Sequence, residues 1–252
     1  MFSGNPPDGS STRQPVRKGP SSTLAAVSKG VGGTRRGWFI TIEGPDGAGK
    51  TLVAGRLRQA LEGHGFRVRA TREPGGTRVG ERVRRIVLDH EPDEAPLDPR
   101  ADALLFTAAR AQLVAEVIGP ALAGGELVLD ARHADSTLAY QGYGDGLAVE
   151  MLREIQRFAT GGLRPDLTLL LDVPVEVGLA RKQVDELTRF EAAFDLGFHR
   201  RVRDGYLELA RTEPERFVII DATAPVDAVV ERALAAVLAR VGAPAEAAAG
   251  PG

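Results

Sequence analysis

The sequence predicts an α/β protein built on a five-stranded parallel sheet with helices on both faces. Three observations predict it. Short apolar segments alternate with segments of helical periodicity along most of the chain. One of them, Leu167-Thr168-Leu169-Leu170-Leu171-Asp172, is almost continuously apolar, as a parallel strand covered on both faces must be. The stretch Gly44-Pro45-Asp46-Gly47-Ala48-Gly49-Lys50-Thr51 fits the pattern G-x-x-x-x-G-K-[ST] between a strand and a helix.

The elements follow in order. Trp38 to Ile42 is β-branched and aromatic and reads as a buried strand. Leu52 to Leu61 has helical spacing of apolar residues. Arg67 to Thr71 reads as the second strand, running into the turn cluster Arg72 to Thr77. A helix over roughly 79–88 and a polar loop over 89–99 come next. Pro99 opens a helix expected to run from Arg100 to about Ala123, where Gly124-Gly125 ends it. Glu126 to Asp130 is the third strand, followed by a short helix from Thr137 to Gln141 and another from about Leu147 to Phe158. After the strand at 167–172, a helix begins at Val175, and Lys182 to Arg189 is expected to be a mobile loop. Glu191 to Arg211 is helical, Phe217 to Asp221 is the last strand, and Val226 to Val241 the last helix.

Composition narrows the function. The chain has 252 residues, enough for one α/β domain with a full core, and neither a repeat nor a second domain is evident. A net charge of -2 gives no pull toward nucleic acid or membrane. The absence of cysteine excludes disulfides, thiolate metal sites and a Cys nucleophile. No apolar run approaches the roughly 20 residues that span a bilayer, and an apolar signal core is missing near the N-terminus, so a cytoplasmic protein is expected. Residues 1–36 are rich in Ser, Gly and Pro, and their basic residues face the single acid Asp8. They are expected to form a disordered basic extension before a domain over 37–241, with 242–252 as a flexible tail.

The glycine-rich stretch carries chemistry. Its glycines let backbone N–H groups converge on phosphate oxygens, and the following helix N-terminus adds partial positive charge. Lys50 is the residue that reaches β- and γ-phosphates, and the Thr51 hydroxyl is the expected Mg²⁺ ligand. In doubly wound sheets ligands bind beyond the carboxyl ends of the strands. The phosphate loop, Arg72-Glu73-Pro74 and Asp130 to Ser136 all lie at such ends, so one cleft can collect them.

Four further stretches stand in a fixed order: Thr71-Arg72-Glu73-Pro74-Gly75-Gly76-Thr77; Ala103-Leu104-Leu105-Phe106-Thr107-Ala108-Ala109-Arg110; Asp135-Ser136-Thr137-Leu138-Ala139-Tyr140-Gln141-Gly142; and Phe158-Ala159-Thr160-Gly161-Gly162-Leu163-Arg164-Pro165-Asp166. With the phosphate loop, they make the chain from roughly Trp38 to Arg240 closely resemble thymidylate kinases (dTMP kinases). The resemblance implies a three-layer P-loop NTPase fold with a short lid. It also implies transfer of the γ-phosphoryl of ATP to dTMP with Mg²⁺, and a homodimer packed through helices. It places Gly44 to Thr51 on ATP, Arg132 between donor and acceptor phosphates, and Asp46 near the sugar hydroxyl and the acceptor phosphate. Phe106 would stack on thymine, and Arg110, one helical turn on, would donate to a thymine carbonyl. Glu73, Pro74, Ser136, Tyr140 and Gln141 would line the nucleoside pocket. Gly47 stands where some members carry an arginine, so the cation is expected from the lid candidates Arg181, Lys182 and Arg189.

The sequence also departs from the family pattern. Ala131 stands at the position of an acid usually found before Arg132, with Asp130 one residue earlier. Successive strand residues face opposite ways, so Asp130 cannot replace that acid without a bulge. Leu52 replaces a usual hydroxyl, and Thr188 replaces an Asp at the lid end. These departures motivate an alternative expectation, a nucleotide-binding regulatory paralogue with weakened catalysis.

Overall fold

Apolar residues at alternate positions of Trp38–Glu43 (β1) face opposite sides, and both sides are covered. This makes β1 the central strand. The computed structural model describes residues 37–88, 97–181 and 195–242. The strands Val68–Arg72 (β2), Leu127–Ala131 (β3), Leu167–Asp172 (β4) and Phe217–Asp221 (β5) complete a parallel sheet in the order β2-β3-β1-β4-β5.

On one face Ile40, Ile42, Leu129, Leu169 and Leu171 pack against Lys50–Gly63 (α1) and Val226–Val241 (α9) through Val53, Leu57, Leu61, Val229, Ala233 and Val237. On the other face Phe39 and Val128 meet Leu113 and Ile118, while Leu170 and Phe217 meet Val202, Tyr206 and Leu209 of Leu196–Thr212 (α8). Leu167 to Leu171 is therefore apolar at nearly every position because helices cover both of its sides. The expected fold class, a five-stranded parallel sheet with helices on both faces, holds.

The remaining helices are Arg78–Leu88 (α2), Pro99–Leu113 (α3), Gly119–Ala123 (α4), Ala134–Thr137 (α5), Val149–Thr160 (α6) and Val175–Ala180 (α7). Pro99 opens α3 as its ring predicts, and the Asp98 side chain caps the Arg100 N–H at 2.9 Å. The single long helix expected over 100–123 is instead divided by a π-helical segment, Val114–Ile118. Pro120 is the reason: it lacks an N–H, and the wider turn, with Gly119 N–H on the Val114 carbonyl, carries the chain past it. A second π-helical segment, Leu138–Gly144, replaces most of the short helix expected near 137–141. The expected extension over 1–36, most of the tail over 242–252 and the loop over 182–189 lie outside the described residues.

Candidate active site

A cleft of about 1220 Å³ opens at the carboxyl ends of β1, β2 and β3. It gathers Asp46, Gly47, Ala48, Gly49, Lys50 and Thr51 on one wall, and Glu73, Pro74, Phe106, Arg132, Ser136, Tyr140 and Gln141 on the other. Arg181 reaches the same space and donates to the Ala222 carbonyl at 2.9 Å. Lys182 and Arg189 lie outside the described residues. Gly44, Pro45 and Arg110 do not line the cleft; they stand behind its walls.

The first wall is made by main chain. Gly44, Gly47 and Gly49 all adopt positive φ, and Gly49 caps α1 without a side-chain acceptor. The Lys50 ammonium donates to the Gly44 and Pro45 carbonyls, each at 2.7 Å, and so folds the loop around itself. At Gly47 a Cβ would lie 1.8 Å from the Gly178 carbonyl oxygen of α7, so only glycine fits there. The contact is reciprocal, since a Cβ on Gly178 would lie 2.4 Å from the Asp46 carbonyl oxygen.

The second wall is made by side chains. Arg132 has φ +72, a left-handed conformation uncommon for residues with a side chain. Its guanidinium pairs with Asp46 at 2.5 Å, donates to the Tyr140 hydroxyl at 3.2 Å and lies 4.9 Å from the centre of the Tyr140 ring. Burial opposes its charge, but Tyr140 and Asp46 outweigh it and hold the guanidinium pKa well above its ordinary value. Arg132 is thus a fixed cation facing the phosphate loop. Arg72 and Arg84 add basic side chains to the cleft, and Arg84 donates to the Pro74 carbonyl at 3.0 Å. The Glu73–Pro74 peptide is cis.

Arg110 is fully buried. It pairs with Glu73 at 2.7 Å and donates to Thr137 at 3.0 Å, Gln156 at 2.5 Å and the His133 carbonyl at 2.8 Å. It therefore braces Glu73 and Thr137, which do face the cleft, and is not itself among the lining residues. Gln141 is likewise anchored, donating to the buried Asp102 at 2.9 Å.

Beneath the second wall lies a buried acid–base cluster. His133 Nδ1 is 2.7 Å from Glu73 and 3.4 Å from Asp130, and all three are buried. Burial alone would lower the His133 pKa, but Glu73 and Asp130 prevail and raise it to about 9. Burial pushes Asp130 up to about 7. Burial also works to raise Glu73, yet Arg110 and His133 hold it below its ordinary value. These groups can hold a metal in principle, but the Arg110 guanidinium already occupies the cationic role there.

Asp130 faces this cluster, on the opposite side of β3 from the phosphate loop, while Ala131 lines the cleft. The pleat thus keeps Asp130 from replacing the missing acid. Leu52 also lines the cleft, half-exposed. Sequence reasoning gave no role to Glu43, His133, Tyr206 or Arg84. For Arg84 a basic residue about two turns into the helix after Glu73-Pro74 was the available signal.

The sequence model of the family described as thymidylate kinase matches residues 42–233. The chain belongs to the thymidylate kinase family. It is 51% identical over 206 residues to the thymidylate kinase of Deinococcus radiodurans, covering 81% of this chain and 98% of that protein. It is 52% identical to the thymidylate kinase of Thermomicrobium roseum, covering 79% and 94%. The crystal structure of thymidylate kinase from Ehrlichia chaffeensis superposes with a TM-score of 0.67 at 30% identity, covering 80% of this chain and 99% of that one. In the reading proposed below the wall at the phosphate loop takes the donor nucleotide and the wall at Arg132 the acceptor, so we call them the donor wall and the acceptor wall.

Proposed function

We infer that this chain is a dTMP kinase, transferring the γ-phosphoryl of ATP to dTMP to give dTDP. The observation that carries the reading is the Arg132–Asp46 pair, which joins the acceptor wall to the phosphate loop across one cleft. Nothing in the relatives favours a weakened regulatory protein.

Phosphoryl transfer needs alignment and charge neutralisation more than covalent chemistry. Gly44 to Thr51 cradle the ATP phosphates with backbone N–H groups, and Lys50 leaves its loop carbonyls for the β- and γ-phosphates. Arg132, held in place by Asp46 and Tyr140, meets the charge that develops between donor and acceptor. Phe106 stacks on thymine. Pro74, Ser136, Tyr140 and Gln141 line the nucleoside pocket, with Glu73 fixed by Arg110 from behind. Of the five N–H donors of Arg110, one on Nη2 remains for a thymine carbonyl, because Glu73, Thr137, Gln156 and the His133 carbonyl face the other four. Arg181, with Lys182 and Arg189 beyond it, supplies the cation that Gly47 cannot.

Mg²⁺ fits the donor wall. The Thr51 hydroxyl, exposed in the cleft, is a hard oxygen ligand that would hold such an ion together with triphosphate oxygens and water. Bound there, it neutralises charge on the phosphates. The enzyme acts in the cytoplasm; no helix among the described residues is long and apolar enough to cross a membrane. It works as a homodimer. Val79 and Ile86 on α2, Leu104 on α3, and Met151 and Phe158 on α6 are exposed apolar side chains, and α3 packs against both other helices.

The test is a coupled ADP-release assay with dTMP, dUMP, AMP and CMP as acceptors. dTMP is expected to be the best acceptor, dUMP poorer, and AMP and CMP near background. Preference for AMP or CMP would overturn the assignment.

A further inference from the structure

We propose that Glu43, at the carboxyl end of β1, is a positioning residue for Arg132, acting through a side-chain extension of the sheet.

The β1–β3 ladder pairs Ile42 with Ala131, and its last main-chain bond is the Arg132 N–H on the Ile42 carbonyl at 2.9 Å. One residue further, the strand has ended and the next acceptor is a side chain. The fully buried Glu43 accepts the His133 N–H at 2.6 Å through Oε1. Its Oε2 accepts the Ser136 hydroxyl at 2.6 Å and the Tyr206 hydroxyl at 3.0 Å. Ser136 and Tyr206 are themselves 2.8 Å apart.

This arrangement fixes the backbone on both sides of Arg132. The residue before it is held by strand pairing and the residue after it by a carboxylate. Between those two anchors Arg132 takes φ +72, a conformation that persists only where its surroundings enforce it. Glu43 does not line the cleft; it stands behind the second wall and holds Ser136, which does line it. Its three bonds all go to the segment after β3 or to α8, which packs on that segment. A buried carboxylate costs free energy unless fully bonded, so a role in packing alone would be served better by an apolar residue.

The proposal rests on the kinase reading and is tested by a double-mutant cycle. Arg132→Ala alone is expected to lower kcat about 10³-fold. Glu43→Gln, which keeps the volume but replaces one acceptor by a donor, is expected to lower kcat on the order of 10–100-fold, as misplacing a reacting group does. The KM for ATP is expected to stay within about twofold, because the phosphate loop makes its own contacts. In the Arg132→Ala background, Glu43→Gln is expected to have no further effect on kcat, since it acts through the missing side chain. Tyr206→Phe, which removes only one hydroxyl, repeats the cycle if Glu43→Gln fails to fold, with a smaller loss that again vanishes without Arg132. Multiplicative losses in the double variant would overturn the proposal, as would a parallel rise in the KM for ATP. A wild-type protein that fails to phosphorylate dTMP would instead sink the kinase reading.

Discussion

The two walls of the cleft are built by different physics. The donor wall is a contiguous run of main chain, shaped by glycines at positive φ and closed on itself by Lys50. The acceptor wall is assembled from side chains far apart in sequence. Glu43 bonds to Tyr206, Glu73 pairs with Arg110, and Asp46 pairs with Arg132. A wall of main chain can bind one charged group in many proteins. A wall of interlocked side chains selects one partner, because each member is placed by the others.

This contrast can be broken or sharpened by experiment. The largest effect is expected from Arg132→Ala, with a loss of about 10³-fold in kcat. ATP should still protect this variant in a thermal-shift measurement, because the donor wall is intact. If ATP no longer protects, the walls are not independent.

Stability should divide the walls next. Arg110→Met leaves Glu73 as a buried carboxylate without its cation, and about 3–5 kcal/mol of stability is expected to go, read from urea unfolding midpoints. Lys50→Met should cost no more than about 1 kcal/mol, since its bonds to two loop carbonyls are only partly buried. Equal losses would erase the distinction.

Phe106→Ala is expected to raise the KM for dTMP about tenfold, in line with the ~1–3 kcal/mol of a base–aromatic stack. The KM for ATP should not move. A change in the ATP constant alone would remove Phe106 from the acceptor wall.

The buried cluster predicts a pH dependence with a definite sign. Asp130 binds its proton more tightly in the folded state, at about 7, than when unfolded. Its contribution is therefore present at low pH and is lost as pH rises from about 4 to 7. His133, raised to about 9, contributes below about 6.5 and loses that contribution through about 9. Stability from this cluster should fall across both windows. Asp130→Asn should flatten the lower one, as measured by urea midpoints against pH. The smallest effect on catalysis is expected from Phe158→Asp on the exposed face of α6, which should shift sedimentation toward a monomer with kcat within about twofold.

Much of this molecule was legible in its sequence because the signals are local. The phosphate loop is contiguous, and the strands carry their burial in their own composition. The pleat alone places Asp130 and Ala131 on opposite sides of the strand, and the structure agrees. What was not legible depends on partners distant along the chain. Glu43 immediately precedes the glycine-rich signature, yet its role requires His133, Ser136 and Tyr206, between 90 and 163 residues away. Arg110 was expected at the pyrimidine, and its spacing from Phe106 is correct for one helix face. Periodicity cannot reveal that Glu73, Thr137 and Gln156 converge on that guanidinium. The π-helical segments at Val114–Ile118 and Leu138–Gly144 were missed because their apolar spacing differs little from an ordinary helix over so few residues.

The meeting of Gly47 with Gly178 has a consequence for engineering. A relative of this enzyme with an arginine at that loop position cannot be imitated by one substitution. The backbone of α7 occupies the space that the first carbon of any side chain would need, so the helix would have to withdraw before the loop could carry a charge. Loop and helix therefore form a matched pair, and grafting either from another kinase demands transplanting both.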